Sequence, residues 1–227
     1  MQNNKLKDLK NAFNGNFEML AAWAEKFPWE DKQAYGQWLA QTYYFVKHTT
    51  VFLTLTAAKF GVRNGDAHKG TLKHLREETG HEKLALNDLR NLGYEVADIP
   101  ELLETSVLYQ TQYYWIECFG PISHAGYALM LEGVAALHGE KILKRIEAAH
   151  GKNTGSFLRV HVIADDDHFD DGLERLAFAP EADVQAVISN LTQSAALYLN
   201  LLETIQSKHT SESQTPNVTT ITGKKVA

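Results

Sequence analysis

Apolar side chains recur at i, i+3, i+4 and i+7 through most of the chain, and runs that alternate apolar with polar residues are scarce. The pattern predicts an all-α protein without a strand. A first helix is expected from about Lys5 to Lys26, closed by Phe27-Pro28-Trp29 because the residue before a proline disfavours the helical region. A second runs from about Asp31 to Phe60 with Trp38, Tyr43, Tyr44, Phe45 and Phe52; aromatics at this spacing read as packing, and His48 among them as a core or supporting histidine. The turn at residues 61–66 leads into a third helix from about Ala67 to Leu92, which stops at Gly93. A fourth follows the loop at 97–100 and reaches about Cys118, and Gly120-Pro121 breaks the chain before a fifth, from about Ile122 to His150. The turn at 151–155 opens a helix that ends near Ala177, and residues 180–207 form the last. From Ser207 the apolar period is lost, which predicts a single domain over residues 1–206 and a disordered tail over 207–227.

One stretch breaks the rule that polar residues face outward. In HVIADDDHF, residues 161–169, His161, Asp165 and His168 stand at i, i+4 and i+7. At about 100° per residue these fall within roughly 60° of one another on one stripe. Leu158, Val160, Ala164, Phe169 and Leu173 surround that stripe, whereas Asp166, Asp167, Asp170 and Glu174 fall on the far side. Two imidazoles and a carboxylate therefore face the core, a costly arrangement unless they are paired, hydrogen-bonded or bound to a metal. A satisfied His–Asp core pair is the plain reading of such residues taken singly; three in register favour a metal.

Two further helices add inward polar residues. On the third, Leu75, Ala85, Leu86, Leu89 and Leu92 set the apolar side. Glu78 projects near its centre, His81 lies on its edge, and Glu77 points away. A Glu-x-x-His pair facing inward is the ligand pattern of carboxylate-bridged dimetal bundles, although a solvated charge run would look similar. Glu77 stays a lesser candidate beside Glu78, and His74, one turn earlier, is a candidate supporting donor. On the fifth helix Glu132 is the only charge between Ala125 and Leu137, with Ala128, Leu129, Ala135 and Ala136 as its one-turn neighbours. A cation would keep such a carboxylate ionised. The inventory is Glu78, His81, Glu132, His161, Asp165 and His168, a mixture of oxygen and nitrogen donors that suits iron or manganese and exceeds what one zinc takes. Asp165 either binds metal directly or orients His161 or His168.

Composition narrows the partners. The 227 residues are 44% hydrophobic, enough for a good core, and the formal charge of −6 with no Lys/Arg-rich face argues against nucleic acid and an anionic membrane. The single cysteine, Cys118, excludes an intramolecular disulfide, and the polar start MQNNKLKDLKNAF lacks the apolar run of a signal peptide. The most apolar stretch, Ala125 to Leu137, is too short for a membrane span and is interrupted by Glu132. A soluble, cytoplasmic protein that binds a small molecule is expected, and a homodimer is compatible with it.

In order and type these residues resemble the haem-oxygenase-like diiron oxidases and oxygenases, over about residues 30–205. That family places a glutamate and a histidine on one core helix, a second glutamate on another, and His-x3-Asp-x2-His on a third. Here the order reads Glu78 and His81, Glu132, then His161, Asp165 and His168. The resemblance implies an all-α, seven-helix up-down bundle of the haem oxygenase-like type that binds two Fe(2+) per chain. It implies bridging by Glu132 or Glu78 and nitrogen ligation by His81, His161 and His168. It also implies an O2-dependent non-haem diiron oxidoreductase acting at C–H, C–N or C–C bonds of a small amino-acid or amino-acid-derived substrate, with fatty-acid oxidative decarboxylation as the alternative. Tyr109, Tyr113, Tyr114, Trp115 and Phe119 form an aromatic row on the helix before Glu132; Tyr113, Trp115 and Phe119 are the expected substrate contacts, with core packing the competing reading.

Two other readings use the same helices. A metal-free hydrolase resembling the TenA thiamin-degrading enzymes needs a nucleophilic cysteine beside a carboxylate, and Cys118 sits in an aromatic segment without an evident activating base. An iron-handling bundle with no organic substrate is the other. Haem oxygenase itself, with one axial histidine near the N-terminus, would leave Glu132 and Asp165 unexplained.

Overall fold

The computed structural model describes residues 2–162, 176 and 179–213. In chain order the helices are α1 (Gln2–Lys26), α2 (Lys32–Val46), α3 (Thr49–Phe60), α4 (Gly65–Glu78), α5 (His81–Asn91), α6 (Leu103–Cys118), α7 (Ala125–His150), α8 (residues 156–162 of those described) and α9 (Glu181–Ser213). No strand occurs among the described residues, as the apolar period predicts. None of these helices is long and apolar enough to cross a membrane.

Local chemistry sets the helix ends. Asp31 caps α2, its Oδ1 accepting from the backbone N–H groups of Gln33 and Ala34 at 2.9 Å. Gln41, buried on α2, starts α6 from a distance: its Oε1 accepts from Leu102 N at 2.9 Å and from Thr105 Oγ1 at 2.8 Å. The Gly120-Pro121 break is present, but one turn of 3₁₀ helix, Pro121–His124, precedes α7. Two of the expected long helices are divided. The one from Asp31 to Phe60 breaks at Lys47–His48, where His48 N–H bonds to Phe45 O at 3.1 Å and tightens the turn with no proline or glycine to announce it. The one from Ala67 to Leu92 breaks at Thr79–Gly80, with Gly80 at φ +100°, a left-handed conformation that favours glycine. The last helix runs on past Ser207 to Ser213.

The core lies where α1, α7 and α9 meet, with α2 against α5, α6 and α9, and α3 along α4. One stripe of α1, formed by Leu9, Phe13, Phe17, Leu20 and Ala24, is buried, as is the stripe Val184, Val187, Leu191, Ala195, Tyr198, Leu202 of α9. A closed polar set ties α6 to α9: Asn190 Nδ2 donates to Gln112 Oε1 at 2.9 Å, Gln112 Nε2 to Ser194 Oγ at 3.1 Å, and Ser194 Oγ to Asn190 Oδ1 at 3.2 Å. At two points α7 approaches its neighbours so closely that only glycine fits. A Cβ on Gly126 would stand 2.3 Å from Val187 O, and one on Gly139 would stand 2.5 Å from Val162 Cγ2.

Candidate metal centre

Glu78 ends α4 and His81 begins α5, so the break at Thr79–Gly80 lies between them rather than a continuous helical turn. The two still meet, with His81 Nδ1 3.2 Å from Glu78 Oε2. That nitrogen is buried and has no aligned hydrogen-bond partner. His161, on α8, brings its ring edge-on to the His81 ring at a centroid distance of 4.8 Å. One ligand atom from each of Glu78, His81 and His161 lies within 4.8 Å of the other two, which brings three of the residues picked from the sequence into one metal-sized cluster. Glu77 stands apart from that cluster, paired with Lys73 at 3.3 Å.

α8 is held in place from α5. Asp88, fully buried, accepts from Ser156 Oγ at 2.5 Å and from the backbone N–H of Phe157 at 2.8 Å, which caps the start of the helix that carries His161. Burial pushes the Asp88 carboxyl up against the pull of those two donors.

Glu132, on α7, reaches the cluster through His74. His74 Nε2 lies 3.3 Å from Glu132 Oε1 and 3.6 Å from Glu78 Oε1, so one imidazole spans the two carboxylates. Burial alone would lower the His74 pKa, but its hydrogen bond to Glu78 and the charges of Glu132 and Glu78 outweigh this and raise it. Burial likewise pulls the Glu78 carboxyl up, and the imidazoles of His74, His81 and His161 more than reverse it, holding Glu78 well below the usual carboxylate range. Burial lowers the His161 pKa, which favours the neutral, metal-competent imidazole. His161 Nδ1 donates to Phe157 O at 2.7 Å, and this leaves Nε2 with its lone pair. An ionised carboxylate, a neutral imidazole with a free Nε2 and a buried nitrogen without a hydrogen bond together fit a divalent metal. Asp165 and His168, the other two members of the inventory, lie outside the described residues.

The cluster faces a cavity of about 110 Å³. Glu78, Glu132, His74 and His161 line one part of it, and Trp29, Trp38, Phe45, Phe157 and Tyr198 supply an aromatic wall. Glu132 and His74 also face an outer pocket of about 580 Å³ that includes Asp66, Lys73 and Glu77. The aromatic row expected on α6 is not this wall. Tyr113, Trp115 and Phe119 do not line the cavity: Tyr113 hydrogen-bonds to His48 Nδ1 at 2.8 Å and packs behind Phe52, Trp115 donates to Gln193 Oε1 at 2.6 Å, and Phe119 is half exposed. The physical reason is that α6 packs against α9, which takes up Trp115. His48 joins this outer aromatic cluster, stacked on Tyr109 at 4.0 Å. Two residues near the cluster were missed in the sequence, His124 and Tyr127, both fully buried and both lining the cavity. The signal for His124 was its place about two turns before Glu132. Cys118 is exposed at the end of α6, away from the cavity lining.

Among the solved structures that match the chain, two share its fold over nearly the whole length. One is a domain of unknown function with a haem oxygenase-like fold from Shewanella denitrificans OS217, at TM-score 0.79 and 20% identity, covering 92% of this chain and 95% of that one. The other is a TenA homologue from Pseudomonas syringae pv. tomato DC3000, at TM-score 0.74 and 15% identity, covering 88% and 91%. At these identities the likeness carries the fold, and it bears out the all-α, haem oxygenase-like bundle expected from the ligand order. No curated protein matches the chain. The model of the iron-containing redox enzymes matches residues 36–203, a span that holds every residue of the cluster, and the chain belongs to that haem-oxygenase-like family.

Proposed function

We propose that the protein is an O2-dependent non-haem diiron oxidoreductase that acts on a small amino-acid or amino-acid-derived substrate. The observation that carries this reading is the meeting of Glu78, His81 and His161 ligand atoms within 4.8 Å at the wall of an apolar cavity. On this reading those three hold one iron, and Glu132, Asp165 and His168 complete the set for a second. Iron bound there supplies the electrons and open coordination positions that O2 reduction requires.

The chain's own residues do the rest. The bond from His161 Nδ1 to Phe157 O fixes the tautomer and would leave Nε2 to hold a metal. His74 holds a proton at Nε2 between Glu132 and Glu78, so the Glu78 carboxylate stays ionised and both side chains are oriented. The aromatic wall excludes water and takes up the apolar side chain of the substrate, which leaves its amine or carboxylate at the cluster. Size favours this over the fatty-acid alternative: a cavity of roughly 150 Å³ holds a single benzene ring, and this one, at about 110 Å³, has no room for an extended acyl chain. The exposed position of Cys118 disfavours a TenA-type nucleophile.

The test is a stopped-flow screen in which anaerobic, ferrous-loaded protein is mixed with O2 in the presence of each proteinogenic amino acid and of medium-chain fatty acids. A compact apolar amino acid is expected to speed O2 consumption and to be consumed with it. If no compound of either class alters the rate, the substrate reading fails and an iron-handling bundle takes its place.

A further inference from the structure

Four residues that line the apolar cavity carry polar atoms that the fold leaves without partners. Trp23 Nε1, Thr42 Oγ1, His124 Nε2 and Tyr127 OH are all buried, none has a hydrogen-bond partner, and all four residues line the cavity. Trp23 is 8% exposed, Thr42 1%, His124 3% and Tyr127 2%.

Comparison within the molecule singles out Trp23 and Thr42. The chain has four tryptophans. Trp29 donates to Ala24 O at 2.7 Å, Trp38 to Tyr198 OH at 3.1 Å and Trp115 to Gln193 Oε1 at 2.6 Å; Trp23 alone has an idle N–H. Helical threonines ordinarily bond back to the carbonyl one turn earlier. Thr54, Thr71 and Thr79 do so here, to Thr50, Ala67 and Leu75, whereas the buried hydroxyls of Thr42 and Thr56 have no partner, and of these two only Thr42 lines this cavity. Buried donors are nearly always satisfied, and two idle ones from separate helices on one cavity point to a ligand that satisfies them.

The charge around them limits what that ligand is. Among the described residues no Lys or Arg lines the cavity, and the His74 imidazole is already taken by Glu78 and Glu132. Burial pushes His124 down to about 3 and holds the Tyr127 hydroxyl protonated, so both are neutral. An anion away from the metal cluster would find no counter-charge among the described residues, and a Trp N–H can only donate.

We infer that the substrate is an apolar body carrying an uncharged oxygen, a hydroxyl or carbonyl, which accepts hydrogen bonds from Trp23 Nε1–H and Thr42 Oγ–H. This deepens the proposed function by taking the cavity as the substrate's, and it makes Trp23 and Thr42 specificity-determining residues.

Phenol and toluene test it, since they share a shape and differ in one hydroxyl. The full-length protein, as purified and again after anaerobic ferrous loading, is titrated with each by calorimetry. A cavity without donors would favour toluene, the more hydrophobic of the two. The inference predicts the reverse, with phenol bound about tenfold or more tightly, as one well-made buried hydrogen bond allows. Trp23→Phe and Thr42→Val should each weaken phenol and leave toluene unchanged, and the double variant should bring the two affinities together. Retained toluene binding shows that a variant is folded, and the single variants stand in if the double fails to fold. Equal affinities in the wild-type protein, no binding of either probe, or a phenol preference that survives in the variants would overturn the inference. The titration does not depend on O2 chemistry, so a failed diiron reading with an intact phenol preference, or the converse, is seen directly.

Discussion

Asp88 accepts a hydrogen bond from the backbone N–H of Phe157 at 2.8 Å, and through that bond the helix that carries His81 caps the helix that carries His161. The two imidazoles of the cluster are therefore set against each other by a carboxylate that is not itself in it. Asp88→Ala leaves a buried N–H and a hydroxyl unpaired, which costs about 1–3 kcal/mol, or roughly 2–4 °C of melting temperature per kcal/mol at this chain length. Thermal melts and iron titrations should show a loss of stability together with weaker iron binding. A variant that is less stable but binds iron as before would show that Asp88 has no part in placing His161.

Glycine changes should split by environment. Gly126→Ala forces a methyl against Val187 O and Leu191 N, both backbone atoms, and should destabilise by about 1–3 kcal/mol. Gly15→Ala, on the exposed side of α1 with no atom near its Cβ, should stabilise by about 0.5–1 kcal/mol. Denaturant melts of both variants check the sign of each.

The acid limb of stability should depend on His124. Its pKa falls from 6.5 to about 3 on burial, so below pH 6.5 the unfolded chain takes up a proton that the folded one refuses. The stabilising contribution is whole above pH 6.5 and is lost as pH falls toward 3, at about 1.4 kcal/mol per pH unit. His161, His48 and His138 are also lowered by burial and add to the same slope. His124→Leu should make the fall between pH 6 and 4.5 shallower by about one proton's worth; denaturant melts across that range giving an unchanged slope would contradict this.

Much of the fold was legible because it rests on local signals. The apolar stripe of α1, the Gly93 stop and the Gly120-Pro121 break are written in residues a few positions apart. The meeting of Glu78, His81 and His161 was legible too, since an inward polar residue on an apolar face needs a partner. What was not legible depends on long-range packing. Lys47–His48 carries no breaker, so the division of α2 from α3 has no local mark. The aromatic row on α6 looked like a pocket wall, but facing α9 it became packing, and the wall came from Trp29, Trp38, Phe45, Phe157 and Tyr198 on four separate segments. That His74 spans Glu78 and Glu132 follows from the approach of α4 to α7, which spacing along one helix cannot report.

If these carboxylates and imidazoles form a two-iron site, the metal content of the protein reports it. Protein supplied with ferrous iron without O2 and freed of excess should hold about two irons per chain, because the six candidate ligands read from the sequence exceed the need of one ion. His161→Ala and Glu132→Ala should each lose at least one iron while keeping the helical circular dichroism of the parent. A single tightly held zinc, unchanged by either substitution, would contradict the account.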